Sequence, residues 1–277
     1  MIVRERRYRR FVVVTLAVLA VATAARVEAQ FARGGFLNVR KATPDDFDGR
    51  FNFCRVAFAS DFRGDGANWS VDYPRADINL SIRLSELTKT SISRLPSGEP
   101  NNLLVRLTDP ELFECPFIMM TEVGAAAITA EEAAQLRVYL EKGGFLWADD
   151  FWGSYAWDWW EAQLRKALPA DEFPIVDLPA DHPLFHSLFD VPRTPQIPSI
   201  SFWAGTGGAT SERGEDSATV HTRAVLDRHG RMMVLMTHNT DLGDSFEREA
   251  DDPQYFYQMS VPGYAFGINA LVYVMTH

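Results

Sequence analysis

Cysteine and basic charge are what this sequence has least of. Its 277 residues include two cysteines, Cys54 and Cys115, and 27 lysines and arginines against 37 aspartates and glutamates. The acidic balance repels phosphate backbones, which argues against nucleic acid as a partner. No cysteine directly follows the apolar stretch Phe11 to Ala25, so no lipid attachment site is expected there. That stretch is also shorter than the roughly 20 residues a membrane span needs. There is no internal repeat and no long low-complexity tract.

Residues 1–29 read as an export signal. Arg4, Arg6, Arg7, Arg9 and Arg10 form a positive head, Phe11 to Ala25 the apolar centre, and Val27-Glu28-Ala29 a small-x-small site predicting cleavage after Ala29. An uncleaved anchor is the alternative. Six arginines and two glutamates lie in this segment, leaving 21 basic and 35 acidic residues beyond it. The expected location is periplasmic or secreted, with no membrane association after cleavage. Residues 30–50 read as an extended arm, and 51–277 as a single α/β domain. In an oxidising compartment Cys54 and Cys115 could pair; two buried thiols is the reading preferred here.

Within that domain the stretch from Thr129 to Gly153 organises the rest. Thr129 with Glu132 fits a capping box, and Ala133, Leu136, Val138 and Leu140 supply an apolar helix stripe. Lys142-Gly143-Gly144 ends the helix, and Phe145 to Ala148 reads as a strand covered on both faces. Asp149 and Asp150 sit at its carboxyl end, where ligands bind in open α/β sheets.

Around this centre, Phe51 to Ser60 reads as the first strand, Pro74 starts a helix carrying Ile78, Leu80, Ile82, Leu84 and Leu87, and Leu103 to Leu107 and Pro116 to Thr121 are further strands. The loop between the first strand and its helix holds Asp61, Asp65, Asn68, Trp69, Asp72 and Tyr73; it lacks the ligand spacing of an EF-hand and reads as a polar turn. Trp157, Trp160 and Leu164 are expected on the buried face of a helix running to about Leu168. Ile175 to Leu178 and Ile197 to Trp203 read as strands, and Asp227-Arg228-His229-Gly230 joins two more as a hairpin that delivers His238 beside Asn239, Asp241 and Asp244. An apolar helix from Phe266 to about Met275 closes the domain. The fold class is therefore α/β, a doubly wound, mostly parallel flavodoxin-like sheet with an antiparallel hairpin near the C-terminus.

Trp69-Ser70-Val71-Asp72-Tyr73-Pro74, GGFLWADD ending at Asp150 and Asp181-His182-Pro183-Leu184-Phe185 are similar to an exported bacterial family known as domain of unknown function 4159. The element order resembles the trehalose-utilisation-type branch of the class I glutamine amidotransferase-like fold. That resemblance implies a fold and no established reaction. Amidotransferases need a Cys nucleophile at the strand-to-helix turn, and here Asp149-Asp150 stands there, so glutamine hydrolysis is not expected.

Three functional readings follow. The first is a non-catalytic binding or interaction domain of the envelope, whose acidic and aromatic rim comprises Trp69, Asp72, Tyr73, Glu122, Asp149, Asp150 and Trp152, with His182, His238 and Asp241 as further ligand-binding candidates. Its partner would be a carbohydrate, stacked on Trp152 and Tyr155, or an envelope protein. The second is a glycan hydrolase with Asp149, Asp150 or Glu122 as catalytic acid. No cofactor and no metal site belong to the leading reading; a divalent cation held by the same carboxylates with His182 or His238 is the third. Alternatively, Asp149 or Asp150 does no more than cap a helix.

Overall fold

The computed structural model describes residues 40–277. The signal segment, its cleavage site and the first part of the arm lie outside the described residues. From residue 40 onward the arm is not free: Leu104 donates its N–H to the Arg40 carbonyl, and Ala42 N–H returns to Leu104 O. The arm thus extends the sheet by one bridge, Lys41 to Leu104.

Seven strands form the main sheet: β1 (Cys54–Val56), β3 (Leu103–Val105), β4 (Ile118–Thr121), β6 (Leu146–Asp149), β7 (Ile175–Asp177), β8 (His221–Leu226) and β9 (Met232–His238). Their order is β3-β1-β4-β6-β9-β8-β7. Pairings from β3 through β9 are parallel, and β8 is antiparallel to β9 and to β7. The chain runs outward from β1 to β3 and then back past β1 to β4, which places a topological switch between β1 and β4. A second sheet pairs β2 (Ala59–Ser60) with β5 (Ala126–Ala127). The first expected strand is therefore two, because the chain leaves the main sheet after Val56 to meet β5.

The helices named below are α1 (Arg75–Leu87), α2 (Ala130–Glu141), α3 (Gly153–Leu164), α4 (Ile200–Thr206), α5 (Leu242–Glu247) and α6 (Val261–Thr276). In α2 the capping box forms as the spacing predicts, with Glu132 N–H on Thr129 Oγ1 and Thr129 N–H on the Glu132 carboxylate. The buried stripe differs in one member: Tyr139 is buried where Val138 is exposed. Tyr139 donates its hydroxyl to the Cys115 carbonyl, which anchors the helix under the start of β4. In α3, Trp160 and Leu164 are buried and Trp157 half-buried. No helix among the described residues is long and apolar enough to cross a membrane.

Ile197 to Trp203 is not a strand. Helix α4 occupies most of it, because Ser199 caps its start by accepting from Phe202 N–H and left-handed Gly207 ends it. Asp244 also accepts the Ile200 N–H at 2.6 Å. Capping from both ends overrides the β propensity of Ile200-Ser201-Phe202-Trp203.

Beneath the sheet, Phe53, Phe117, Trp147 and Phe266 form a continuous aromatic run with ring centroids 5.1 to 6.4 Å apart. Leu80 and Leu84 of α1 and Ile268 and Leu271 of α6 complete this core. The cysteines depart from expectation: Cys54 and Cys115 form a disulfide, Cα to Cα 6.2 Å. Strands β1 and β4 are neighbours, with Cys54 opposite Ile118, so the chain entering β4 brings Cys115 alongside Cys54.

Candidate functional site

Three adjacent parallel strands end in the same unusual way. The residues directly after β4, β6 and β9 are Glu122, Asp150 and Asn239, with φ of 56°, 55° and 66°. Left-handed backbone costs most residues with a Cβ roughly 1–2 kcal/mol and Asp and Asn less, so the strain is clearest at Glu122, and such strain concentrates where side chains must be aimed. Asp72, on the loop before α1, is the fourth such residue, at φ 62°. All four lie at or above the carboxyl edge of the sheet.

Asp149 and Asp150 are sent in different directions, as adjacent residues at a strand end should be. Asp149 is fully committed. Its Oδ2 accepts the N–H groups of Leu242 and Gly243 at 2.9 and 3.2 Å, the first turn of α5. Its Oδ1 accepts from Thr237 Oγ1, which in turn accepts from Trp147 Nε1 at 2.9 Å. The capping alternative is met for this residue, although the helix capped is α5 and not the next one in the chain. Burial pushes the Asp149 carboxyl up to about 7 against those hydrogen bonds.

Asp150 faces a cavity of about 330 Å³ lined by Asp65, Gly66, Ala67, Glu122, Asp150, Phe151, Trp152, Glu212 and Arg213. Its Oδ1 accepts from Trp152 Nε1 at 3.1 Å. Across the cavity Glu122 Oε2 accepts the Ala67 N–H at 3.0 Å. Burial, then the charges of Asp65 and Glu212, push its carboxyl up to about 7. Gly66 lets the loop come this close, since a Cβ there would lie 2.5 Å from Glu122 Oε2. Arg213 closes the rim by pairing with Asp65 at 3.0 Å.

Behind Asp150 lies a buried acidic group. One carboxylate oxygen from each of Asp72, Asp150 and Asp241 lies within 4.8 Å of the other two. Burial, and after it the charge of neighbouring acids (Asp244 for Asp72, Glu122 for Asp150, Asp150 for Asp241), holds all three well above the ordinary carboxylate range. Asp241 caps α5 through Asp244 N–H at 2.8 Å. Asp72 Oδ2 is buried and accepts no hydrogen bond.

The remaining expected site residues fall elsewhere or play other parts. Trp69 and Tyr73 are only 2% and 4% exposed and meet edge to face, so neither offers a ring to a ligand. Tyr155 is 56% exposed but ties its hydroxyl to the Arg63 carbonyl, while Trp152 is buried, so the two do not form an open stacking platform. His182 accepts the Leu184 N–H and packs on Tyr273, with no contact to the acidic group. His238 lies flat on Phe151 and His221, bonded through Nε2 to the Gly153 carbonyl. Asp61 pairs with Arg63, and Asn68 accepts from Ser70, as a polar turn would have it. Arg213 and Glu212 were not legible in the sequence; they come from the Gly- and Ser-rich excursion before β8 and reach the site only through folding.

Residues 52–275 match the family described as a domain of unknown function (DUF4159). The protein belongs to that family. No curated protein matches it. The match spans all seven strands of the main sheet, both acidic loops and α6 up to residue 275, so the site described above lies within the family domain.

Proposed function

We propose that this DUF4159 protein is an exported ligand-binding domain of the bacterial envelope, without catalytic turnover, whose ligand occupies the cavity between Glu122, Asp150 and Arg213. The observation that carries the reading is the run of left-handed residues, Glu122, Asp150 and Asn239, at the ends of three neighbouring strands. A left-handed residue repeated at one sheet edge supports a site assembled for a ligand. The cavity volume suits a small polar molecule such as a monosaccharide unit, and its lining offers donors and acceptors of both charge signs. Export is supported by the basic and apolar N-terminal pattern together with the disulfide, a bond that persists in oxidising compartments.

The sheet order is compatible with the amidotransferase-like resemblance, and Asp150 stands at the strand-to-helix turn where those enzymes place their nucleophile. Both sulfurs are locked in the disulfide, so no thiolate is available for glutamine hydrolysis. Asp149 takes no part in a two-carboxylate hydrolysis, because both its oxygens are bonded within the fold; Glu122 and Asp150, which line the same cavity, are the pair such a reaction would use. Thermal-shift and calorimetric titration of the protein with a panel of cell-wall sugars and polyols tests the reading. A sugar that raises the unfolding midpoint of wild type and fails to do so in Glu122→Gln is the expected result. Release of reducing sugar from a glycan would replace binding with hydrolysis as the function, and an unshifted panel would sink the small-ligand reading.

A further inference from the structure

The buried acidic group behind the cavity has a chemistry of its own. We propose that Asp72, Asp150 and Asp241 hold a divalent hard cation, such as calcium, magnesium or manganese, at the floor of the cavity. The inference deepens the ligand-binding reading and rests on the same cavity, yet the metal alone tests it.

Geometry comes first. Three carboxylate oxygens from three separate chain segments lie within 4.8 Å of one another, the spread of ligands around one ion. Each of the three residues is about 5% exposed, so they are not a solvated acidic face. The second observation is Asp72 Oδ2, buried in a residue 6% exposed and accepting no hydrogen bond. Buried polar atoms are almost always bonded, and a charged one left alone is costly. A Cβ at Gly243 would stand 2.3 Å from that oxygen and 3.3 Å from Asp241 Oδ1, so glycine there leaves space beside both carboxylates. The left-handed backbone of both Asp72 and Asp150 turns them toward the same place.

The neighbouring groups narrow the assignment. A second set, Asp72 with Asp244 and Glu247, shares the unpartnered residue. Asp244, however, accepts from Ile200 N–H, Tyr255 and Arg248, and although Glu247 Oε2 accepts no hydrogen bond, the Arg248 guanidinium stands 2.8 Å from it, so a cation of the chain already occupies that side. Arg55, whose charge opposes the rise at Asp72, places Nη2 and Nε on Asp77 and makes no ion pair with Asp72, although its Nη1 is buried without a hydrogen bond. With oxygen ligands alone and no histidine or thiolate, the set selects a hard cation over zinc or copper. Asp150 belongs to both the group and the cavity lining, so an ion here can complete its shell with water or with oxygens of a cavity ligand.

The test is titration of chelator-stripped protein with calcium, magnesium and manganese chlorides, each alone, by calorimetry and thermal shift. One of them should bind in a one-to-one ratio and raise the midpoint. Asp72→Asn should weaken that binding by roughly tenfold or more while leaving the metal-free midpoint equal or higher, and Asp244→Asn should change it by less than about threefold. Terbium offers a readout on wild-type protein that needs no folded variant of the acidic group: indole excitation should give sensitised emission that calcium competes away, and Trp152→Phe should lose most of it. Absence of stoichiometric binding by all three cations overturns the proposal, as does equal binding by wild type and Asp72→Asn. A sugar that still binds when no cation does leaves the cavity reading standing and removes only this one.

Discussion

Two buried aspartates at the start of the same helix are treated in opposite ways. Asp77, in the first turn of α1, is fully buried and receives the Arg55 guanidinium, with Nη2 on Oδ1 and Nε 3.3 Å from Oδ2. Asp72, on the loop that leads into α1, is nearly as buried, and among the described residues no cation pairs with it. Burial pushes the Asp77 carboxyl up while Arg55 pulls it back, whereas at Asp72 burial and then Asp244 push the same way and Arg55 opposes them from a distance. A structural carboxylate comes with its partner built in. One that the fold isolates beside two more acids is arranged for something the chain does not carry.

Breaking that difference gives the largest expected effect. Arg55→Met leaves Asp77 as a buried charge without a partner and should cost about 3–5 kcal/mol of stability. Asp72→Asn should move metal-free stability the other way, because it removes a charge with no partner to lose. Urea unfolding of both variants without divalent cations checks the pair. If the two substitutions destabilise alike, Asp72 is a structural group with an ordinary role and the contrast is lost.

The disulfide sharpens the same comparison, since Cys54 precedes Arg55 and ties β1 to the chain entering β4. Replacing both cysteines with alanine should cost about 2–4 kcal/mol, read from the urea midpoint, with cation binding unchanged. An altered cation affinity would mean that the bond positions the acidic group and does more than restrain the unfolded chain.

What could be read from the sequence and what could not divide by range. The capping box at Thr129, the covered strand before Asp149 and the hairpin after Leu226 depend on neighbours a few residues apart, and each forms as its local pattern predicts. The candidate residues Asp72, Glu122, Asp150 and Asp241 were marked by their place near strand ends, and the fold gathers all four at one edge. The disulfide is not legible locally, because it depends on which strand lies beside β1. The Asp65–Arg213 contact closes over 148 residues, and no local pattern reports it. Trp69 and Tyr73 misled because aromatic rings beside acids look the same in sequence whether they face a ligand or the core.

His238 shows a third way to carry a buried ionisable group at this edge, by keeping it neutral. Burial lowers its imidazole to about 4; the Gly153 carbonyl and Asp216 raise it, and Arg223 and His221 add to the lowering. In the unfolded chain the ring returns to its ordinary value near 6.5. The native protein therefore binds fewer protons than the unfolded one between those values, and stability from this residue is complete above about 6.5 and lost as pH falls toward 4. Asp149 and Glu122, pushed up to about 7, act with the opposite sign: they favour the native state below the ordinary carboxylate range and lose that contribution as pH rises through 7. The two trends overlap in wild type, so the histidine is isolated by difference. The stability gap between wild type and His238→Gln should shift by roughly 2–3 kcal/mol between pH 7.5 and 4.5, with wild type losing ground on acidification. Parallel pH profiles would mean that the ring opens to solvent and titrates normally. The stack of Phe151, His238 and His221 would then be a loose cover over the start of α3 and no part of the edge's rigid frame.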